Sequence, residues 1–247
     1  LHARAAPANL PCRENEYTEI YTFLYDHLVE TTSGCMYISG VPGTGKTATV
    51  TEAVRALRRA YAEECFQYVE LNGMRLADPS RAYSELWAAL HDGQRLSPRH
   101  AQQKLSDEFT LAARTGGPPR ARATVVLVDE LDLLLTKRQD ILYHFMDWPQ
   151  YVGSRLIVLA VANTMDLLER HLSSRVSSRM GLARLVFQPY THDQLQTILI
   201  HRLESAAADN ATVFGTRALE LCARRISAVS GDARRALDIC RIALELF

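Results

Sequence analysis

Eight consecutive residues decide the fold predicted for this chain: Gly40-Val41-Pro42-Gly43-Thr44-Gly45-Lys46-Thr47. They match the pattern GxxxxGK[ST], in which the backbone N–H groups of a glycine-rich loop point at the phosphates of a nucleotide. Gly43 and Gly45 permit the turn because they have no side chain to collide with the phosphates. We expect Lys46 to reach the β- and γ-phosphates and the Thr47 hydroxyl to ligate Mg²⁺. The sequence therefore predicts a site for a nucleoside triphosphate.

The residues on either side of this loop support that interpretation. Met36–Ser39 has the pattern of a buried strand, and Thr47–Ala60 carries apolar residues at helical spacing. A strand, a loop and a helix in this order place the phosphates at a helix N-terminus, which binds anions through its unpaired N–H groups. The predicted nucleotide contacts extend to Ala48.

Length, composition and charge limit the class of protein. A chain of 247 residues with 47% hydrophobic content can bury the core of one large domain, or of one domain and a small appendage. Lys plus Arg and Asp plus Glu both number 28, so the broad basic surface of an autonomous DNA-binding domain is not expected. The five cysteines include no CxxC pair, which favours a reducing compartment over a disulfide framework or a zinc site. Because the chain begins at Leu1 rather than Met, we expect it to be a piece of a longer protein.

Hydrophobic patterning predicts an α/β fold. Short apolar runs typical of strands occur at Met36–Ser39, Phe66–Leu71, Thr124–Val128, Leu156–Ala162 and Leu185–Phe187. Amphipathic helical patterns separate them, an alternation typical of a largely parallel sheet. After Pro189 the strand signals stop and three apolar helical faces follow. We therefore predict a nucleotide-binding domain over residues 1–188 and a small all-helical domain over residues 189–247.

Polar side chains follow two of the predicted strands at the point where each strand ends. Asp129 and Glu130 come directly after Val125–Val128, and Asn163 follows Leu159–Ala162. The carboxyl ends of parallel strands are where an α/β sheet places its ligand chemistry. We expect Asp129 to hold Mg²⁺ through water and Glu130 to polarise the attacking water. Asn163 is expected to orient that water between Glu130 and the γ-phosphate.

Two arginines are further candidates for the site. Arg179 lies in a positive stretch of an otherwise neutral chain, with arginines at 170, 175, 179 and 184. It is either part of a solvated helix face or an arginine finger that reaches a neighbour's nucleotide. Arg234 opens the last helical pattern, where it is expected to touch the γ-phosphate and couple the position of the helical domain to the nucleotide state.

Taken in order, these motifs resemble those of the AAA+ ATPases. In that superfamily Asn163, the Ser178-Arg179 pair and Gly231–Arg234 correspond to sensor 1, the arginine-finger box and sensor 2. Within it, the chain resembles the initiator clade, and in particular the family of eukaryotic origin recognition complex subunit 1. That resemblance covers essentially the whole chain and rests on these stretches: Leu10–Glu14, Ser39–Val50, Asp129–Leu134, Asp147–Pro149, Ala162–Leu167 and Phe187–Tyr190.

The resemblance implies a three-layer αβα P-loop domain of the RecA-like type with a parallel sheet, followed by a helical lid domain. The winged-helix domain that the family carries after the lid is expected to lie outside this sequence. The implied cofactors are ATP and Mg²⁺, with Leu10 and Pro11 as adenine contacts. The implied process is DNA replication initiation and helicase loading in the nucleus.

The resemblance also implies partners. These are the other subunits of an origin recognition complex and the related co-loading factor, cell division control protein 6, whose site Arg179 would face. ATP turnover is expected to be slow unless a neighbouring subunit supplies its finger. DNA is expected to be contacted through the assembled ring, and weakly by this fragment alone because its net charge is zero.

One stretch leaves two interpretations open. Asn72–Arg99 corresponds to the DNA-facing helical insertion of initiators, and it contains Tyr83 and Trp87 among several arginines. Either these aromatic residues face DNA, or they belong to the core and the arginines are solvated.

Two other functions remain open from the residues alone. The chain is alternatively a nucleotide-gated assembly module, in which ATP bridges subunits and hydrolysis matters little. It is alternatively another AAA+ loader, such as a clamp-loader subunit or a protein like cell division control protein 6. A GTPase is disfavoured because no NKxD guanine-reading element follows the Asp129 strand.

Overall fold

The computed structural model describes residues 11–61, 66–118, 120–135, 140–164, 183–206 and 214–246. The strands are β1 (Gly34–Gly40), β2 (Phe66–Asn72), β3 (Ala123–Asp129), β4 (Leu156–Ala162) and β5 (Ala183–Phe187). The helices are α1 (Glu14–Val29), α2 (Lys46–Ala60), α3 (Arg81–Leu90), α4 (Pro98–Thr115), α5 (Asp140–Asp147), α6 (His192–Ala206), α7 (Thr216–Val229) and α8 (Ala233–Glu245). The alternating strands and helices predicted from the sequence are confirmed, with boundaries that differ by a few residues.

The five strands form one sheet in the order β2-β3-β4-β1-β5. The pairs β2–β3, β3–β4 and β4–β1 are parallel, and β4 lies between β3 and β1. Val158 of β4, for example, is in register with Val126 of β3 and with Cys35 of β1. The carboxyl ends of β3 and β4 therefore lie side by side, and the polar residues that follow them emerge at the same edge of the sheet.

Both faces of the sheet are buried, as expected for the middle layer of a three-layer fold. β3 and β4 are buried at every position, so their sequences are continuous apolar runs rather than alternating ones. On one face, a cluster of buried side chains joins the sheet to α3, α4 and α5. On the other face, alternate residues of the central strands are equally buried, among them Met36, Ile38, Val125, Leu127, Ile157 and Leu159.

Aromatic side chains packed on the first of these faces decide between the two interpretations of Asn72–Arg99. Tyr83 is 4% exposed and packs near Phe145 and Trp148. Trp87 is half-buried and packs against the same core. Tyr83 is therefore a core residue, while the arginines at 75, 81, 95 and 99 are exposed.

The helices after Pro189 have a small core of their own. Buried apolar residues from α6, α7 and α8 pack together: Leu195, Leu199, Leu219, Ala223, Ile226, Ala236, Leu237 and Cys240. At the start of α6, the Thr191 N–H donates to Gln194 Oε1 at 3.0 Å, and the Gln194 N–H donates to Thr191 Oγ1 at 3.3 Å. This reciprocal pair is a capping box, which satisfies two N–H groups that the helix itself cannot pair.

The described residues fall into two compact units. One is drawn from Leu1–Ile20, Gly40–Val54 and Phe187–Phe247, and the other from Tyr21–Ser39 and Arg55–Val186. The phosphate loop thus belongs to the same unit as the C-terminal helices. The domain boundary expected between residues 188 and 189 stays a prediction. Within the described ranges, no helix is both long enough and apolar enough to cross a bilayer.

His144 makes the stability of the second unit depend on pH. Its Nδ1 lies 2.8 Å from the Tyr83 hydroxyl and its Nε2 lies 3.3 Å from Gln102 Nε2. Burial lowers the pKa of His144 below its ordinary value, against the opposing influence of Asp140 and Asp147. The unfolded chain therefore binds more protons than the folded protein near its ordinary pKa, so the free energy of unfolding decreases as the pH falls below about 6.5.

We predict that His144→Gln flattens this decrease, measured by urea denaturation at a series of pH values. A residual slope is expected from His27, whose pKa is also lowered by burial. His100→Gln is the matched control, because His100 is exposed on α4. Equal slopes for the two variants would show that His144 does not cause the effect.

Candidate functional site

The phosphate loop has the strand–loop–helix geometry that the sequence predicts. β1 ends at Gly40 and α2 begins at Lys46. Gly43 and Gly45 have φ angles of 78° and 90°, in the left-handed region that favours glycine. The Thr44 hydroxyl, which lies between them, donates to the Val41 carbonyl at 2.9 Å and braces the turn.

Protein atoms crowd the glycines of this loop. A Cβ on Gly43 would overlap the Asp232 carboxylate, and one on Gly45 would lie 2.8 Å from the Tyr190 hydroxyl oxygen. A Cβ on Gly40 would lie 2.5 Å from the Phe187 carbonyl oxygen. From the sequence, the absence of side chains at Gly43 and Gly45 was expected to serve the phosphates alone. In the structure, close packing against Phe187, Tyr190 and Asp232 requires their absence as well.

Lys46 is positioned beside the loop. It is 6% exposed, and its Nζ donates to the carbonyls of Gly40 at 2.7 Å and Val41 at 3.0 Å. Thr47 and Ala48 follow in the first turn of α2 and are half-buried. The donors that a phosphate chain requires are therefore present in this segment: a buried ammonium group, a helix N-terminus and a loop with two left-handed glycines. The residues fit a nucleotide phosphate group.

The acidic pair lies where β3 ends. Asp129 is the last residue of β3 and is 5% exposed; its Oδ1 accepts from the Glu130 N–H at 3.0 Å. Its Oδ2 lies 3.4 Å from the amide nitrogen of Asn72, at the end of the adjacent strand β2. Glu130 has φ 53° and ψ 48°, a left-handed conformation that is costly for a residue with a side chain. That conformation turns the chain sharply after β3.

Glu130 and Asn163 are brought together, as the sequence analysis expected. The Asn163 Nδ2 donates to Glu130 Oε2 at 2.5 Å. Asp132 supports this contact: its Oδ2 accepts from the Asn163 N–H at 2.7 Å, and its Oδ1 accepts from the Thr164 hydroxyl at 2.8 Å. Sequence reasoning assigned no role to Asp132, although an acid two residues after Glu130 was a visible signal.

Arg234 lies in the first turn of α8 and is exposed. Its backbone N–H donates to Oδ1 of Asp232, the N-cap residue of that helix, at 2.8 Å. The neighbouring residue Ala233 contacts the phosphate loop, because its backbone N–H donates to the Gly43 carbonyl at 3.3 Å. The start of α8 is therefore in contact with the loop, while the role predicted for the Arg234 guanidinium stays a prediction.

The remaining predicted site residues receive less structural support. Leu10 and Arg179 lie outside the described residues, so the adenine contact and the arginine finger stay predictions. Pro11 is half-buried in the turn that precedes α1. Val41 and Pro42 are exposed at the tip of the phosphate loop.

Arg13 is a residue of this site that sequence reasoning missed. It is 3% exposed, and its Nε donates to the Thr44 carbonyl at 3.1 Å. Its Nη2 donates to the Gln188 carbonyl and its Nη1 to Glu16 Oε1, each at 2.5 Å. The guanidinium carbon also lies 4.0 Å from the centre of the Tyr190 ring. The available signal was an arginine followed three residues later by an acid.

Comparison with known protein families identifies the fold. The model of the ATPase family associated with various cellular activities (AAA) matches residues 36–184. The model of the Cdc6/ORC-like ATPase lid domain matches residues 190–247. These two matches account for the α/β sheet and for the helices that follow it.

The chain is similar along its whole length to subunit 1 of origin recognition complexes. It is 51% identical to the human protein and 50% identical to the mouse protein, covering 100% of this chain and 28% of each relative. It is 50% identical to the protein of Schizosaccharomyces pombe, covering 34% of that relative. The chain therefore spans about a third or less of the length of these curated relatives.

Solved structures agree with this assignment. The structure of Drosophila ORC bound to DNA matches with a TM-score of 0.86 and 46% identity, over 99% of this chain and 58% of that one. The Aeropyrum pernix ORC1 protein in complex with DNA matches with a TM-score of 0.80 and 29% identity, over 99% of this chain and 62% of that one. The chain belongs to the AAA family of ATPases, with the α/β domain and helical lid of the Cdc6/ORC-like type.

Proposed function

We propose that this chain is the ATP-binding and ATP-hydrolysing AAA+ part of an origin recognition complex subunit that acts in DNA replication initiation and helicase loading. The observation that carries the proposal is the identity of about half of all residues, over the entire chain, to subunit 1 of such complexes. In this proposal a RecA-like nucleotide-binding domain occupies residues 1–188 and a helical lid domain occupies residues 189–247.

In this proposal the residues from Gly40 to Ala48 hold the phosphates, and Leu10 and Pro11 contact the adenine. Thr47 and Asp129 hold Mg²⁺, a donor set that fits an ion usually bound through one or two carboxylates, waters and substrate phosphates. When bound, Mg²⁺ neutralises charge on the phosphate oxygens. The left-handed glycines, the buried Lys46 and the nearly buried Asp129 support these assignments.

Glu130 is the proposed general base for hydrolysis. Its Oε2 accepts a hydrogen bond from Asn163, which orients the carboxylate so that Oε1 takes the proton of the attacking water. The water oxygen then bonds to the γ-phosphorus as the bond to the ADP oxygen breaks. The negative charge on the γ-phosphoryl oxygens is stabilised by Lys46 and Arg234. The Asp132 carboxylate keeps Asn163 in place by accepting a hydrogen bond from the Asn163 backbone N–H.

The proposed partners are the other subunits of the complex and the related co-loading factor. A neighbouring subunit supplies an arginine finger to this site, and Arg179 of this chain serves the site of the co-loading factor. DNA is contacted mainly by the assembled ring, which works in the nucleus. Support comes from the similarity to a subunit of Drosophila ORC, whose structure was solved bound to DNA.

The first test separates binding from hydrolysis. Lys46→Ala removes the ammonium group and should weaken ATP binding roughly 10- to 100-fold, because it deletes a charged hydrogen bond. Glu130→Gln keeps the shape of the side chain but not the base, so it should retain ATP and lose about 10²–10⁴-fold in hydrolysis. Binding is measured by titration with a labelled ATP, and hydrolysis by phosphate release.

Equal ATP binding by Lys46→Ala and the parent would refute the proposed nucleotide site. If Glu130→Gln instead hydrolyses ATP at the parent rate, the base lies elsewhere. If the parent itself barely hydrolyses ATP within a complex that forms only in the presence of ATP, the chain is a nucleotide-gated assembly module.

The second test concerns Asp132. Asp132→Ala should lower kcat about 10- to 100-fold, because Asn163 loses the acceptor that fixes its backbone, while the KM for ATP changes little. Asn163→Ala should have a similar effect, and the double variant should be scarcely worse than either single one. If the two reductions in kcat multiply in the double variant, Asp132 does not act through Asn163.

The third test concerns the finger. The purified chain should turn over ATP slowly, and assembly with the other subunits should raise the rate by on the order of 10³–10⁵. Arg179→Ala should leave ATP binding by this chain intact and reduce hydrolysis at the site of the co-loading factor, with Arg175→Ala as the control. Fast turnover by the purified monomer would contradict the need for a neighbour.

A further inference from the structure

We propose that Arg13 is a positioning residue that couples the shape of the phosphate loop to the segment Gln188–Tyr190, which leads into the helical lid. The inference rests on the proposed function, since it concerns the loop that would hold ATP. Arg13 itself is not expected to touch the nucleotide, and it acts through the backbone of Thr44.

The burial of Arg13 shows that its position is specified. A buried charge is costly unless it is paired and hydrogen-bonded, and Arg13 is 3% exposed. Its three kinds of nitrogen reach three different segments: Thr44 of the phosphate loop, Gln188 before the lid and Glu16 of α1. The guanidinium group therefore links segments that lie far apart in the chain.

The contact with Thr44 determines where the next N–H group of the loop points. In a planar trans peptide the carbonyl and the following N–H point in opposite directions. Arg13 draws the Thr44 carbonyl toward itself at 3.1 Å, so the Gly45 N–H is directed away from Arg13. A loop that binds phosphate needs its N–H groups to converge on one side, and Arg13 fixes the orientation of one of these peptides.

The contacts at the other end tie the same side chain to the lid. The Gln188 carbonyl accepts from Nη2, and the guanidinium carbon lies over the Tyr190 ring, 4.0 Å from its centre. Tyr190 also meets the loop directly, because its hydroxyl is beside Gly45. Burial raises the pKa of Tyr190, so this hydroxyl stays protonated at neutral pH. A shift of Gln188–Tyr190 would therefore withdraw both an acceptor and a stacking surface from Arg13.

Lysine cannot reproduce this arrangement. The guanidinium group is a planar fork with five donors, and its flat face stacks on aromatic rings, whereas an ammonium group is a compact point charge. Arg13→Lys therefore keeps the positive charge while it loses the simultaneous contacts to Thr44, Gln188 and the Tyr190 ring.

The experiment compares Arg13→Lys with Glu16→Gln in the full chain. Arg13→Lys should weaken ATP binding roughly 10- to 100-fold, raising the KM with little change in kcat at saturating ATP. Glu16→Gln removes an ionic partner of Arg13 but leaves its contacts to Thr44 and Gln188, so it should lower the melting temperature without weakening ATP binding. Hydrogen exchange is measured in both variants and in the parent.

In the parent, ATP should slow amide exchange both in Gly43–Lys46 and in the lid segment, at Gln188 and Tyr190. In Arg13→Lys at saturating ATP the lid segment should lose that response. A merely structural role would lower stability in both variants yet leave the response and the affinity as in the parent, and this outcome would overturn the inference. If Arg13→Lys does not fold, Tyr190→Leu, which removes the stacking surface, should show the same loss of response; a normal response there would equally overturn it.

Failure of the role inferred for Arg13 is distinguishable from failure of the proposed function. If the parent binds ATP and Lys46→Ala does not, the nucleotide site stands whatever Arg13→Lys shows. If the parent and Lys46→Ala bind ATP equally, the nucleotide site itself is wrong.

Discussion

The parallel pairing of β3 with β4 is the constraint on which the candidate catalytic centre depends. Because both strands run in the same direction and pair without a gap, the residues that follow them leave the sheet side by side. The left-handed conformation of Glu130 and the hydrogen bonds of Asp132 then bring the Glu130 carboxylate to the Asn163 amide. A shift of one residue in this register would move every side chain of β3 to the opposite face of the sheet and separate Glu130 from Asn163.

The phosphate loop depends on a different set of contacts, made within the unit that also contains the C-terminal helices. Its glycines are crowded by Asp232, Tyr190 and Phe187, and its Thr44 carbonyl is held by Arg13. Because of these contacts, a side chain at any of the three glycines would collide with protein atoms even before any nucleotide is considered. A loop whose N–H groups are oriented in advance loses less conformational entropy when a ligand binds, so it binds that ligand more tightly.

Local pattern and motif spacing predicted most of the fold and part of the site. The strands were recognisable because parallel, doubly buried strands are continuous apolar runs, and Asp129, Glu130 and Asn163 because they end such runs. Arg13 and Asp132 were not predicted, because each acts on a backbone group brought near only by folding: Arg13 lies 175 residues from Gln188 and Asp132 lies 31 residues from Asn163. The buried state of Tyr83 likewise depended on α3 packing near α5 and Trp148.

Arg13 and Asp132 share a physical role: each side chain fixes a main-chain group near the candidate site. Each is charged, each sits close in sequence to residues with proposed contacts to the nucleotide or water, and each pairs with main-chain atoms of a loop. Such pairing is rigid, because a charged hydrogen bond in a partly dry environment is strong and a partner left unpaired there is costly. The conformation of both loops is thereby set by the protein, so ATP would meet groups that already face the right way. In the proposed mechanism, binding energy that is not spent on ordering the loops would remain for orienting the γ-phosphate for attack.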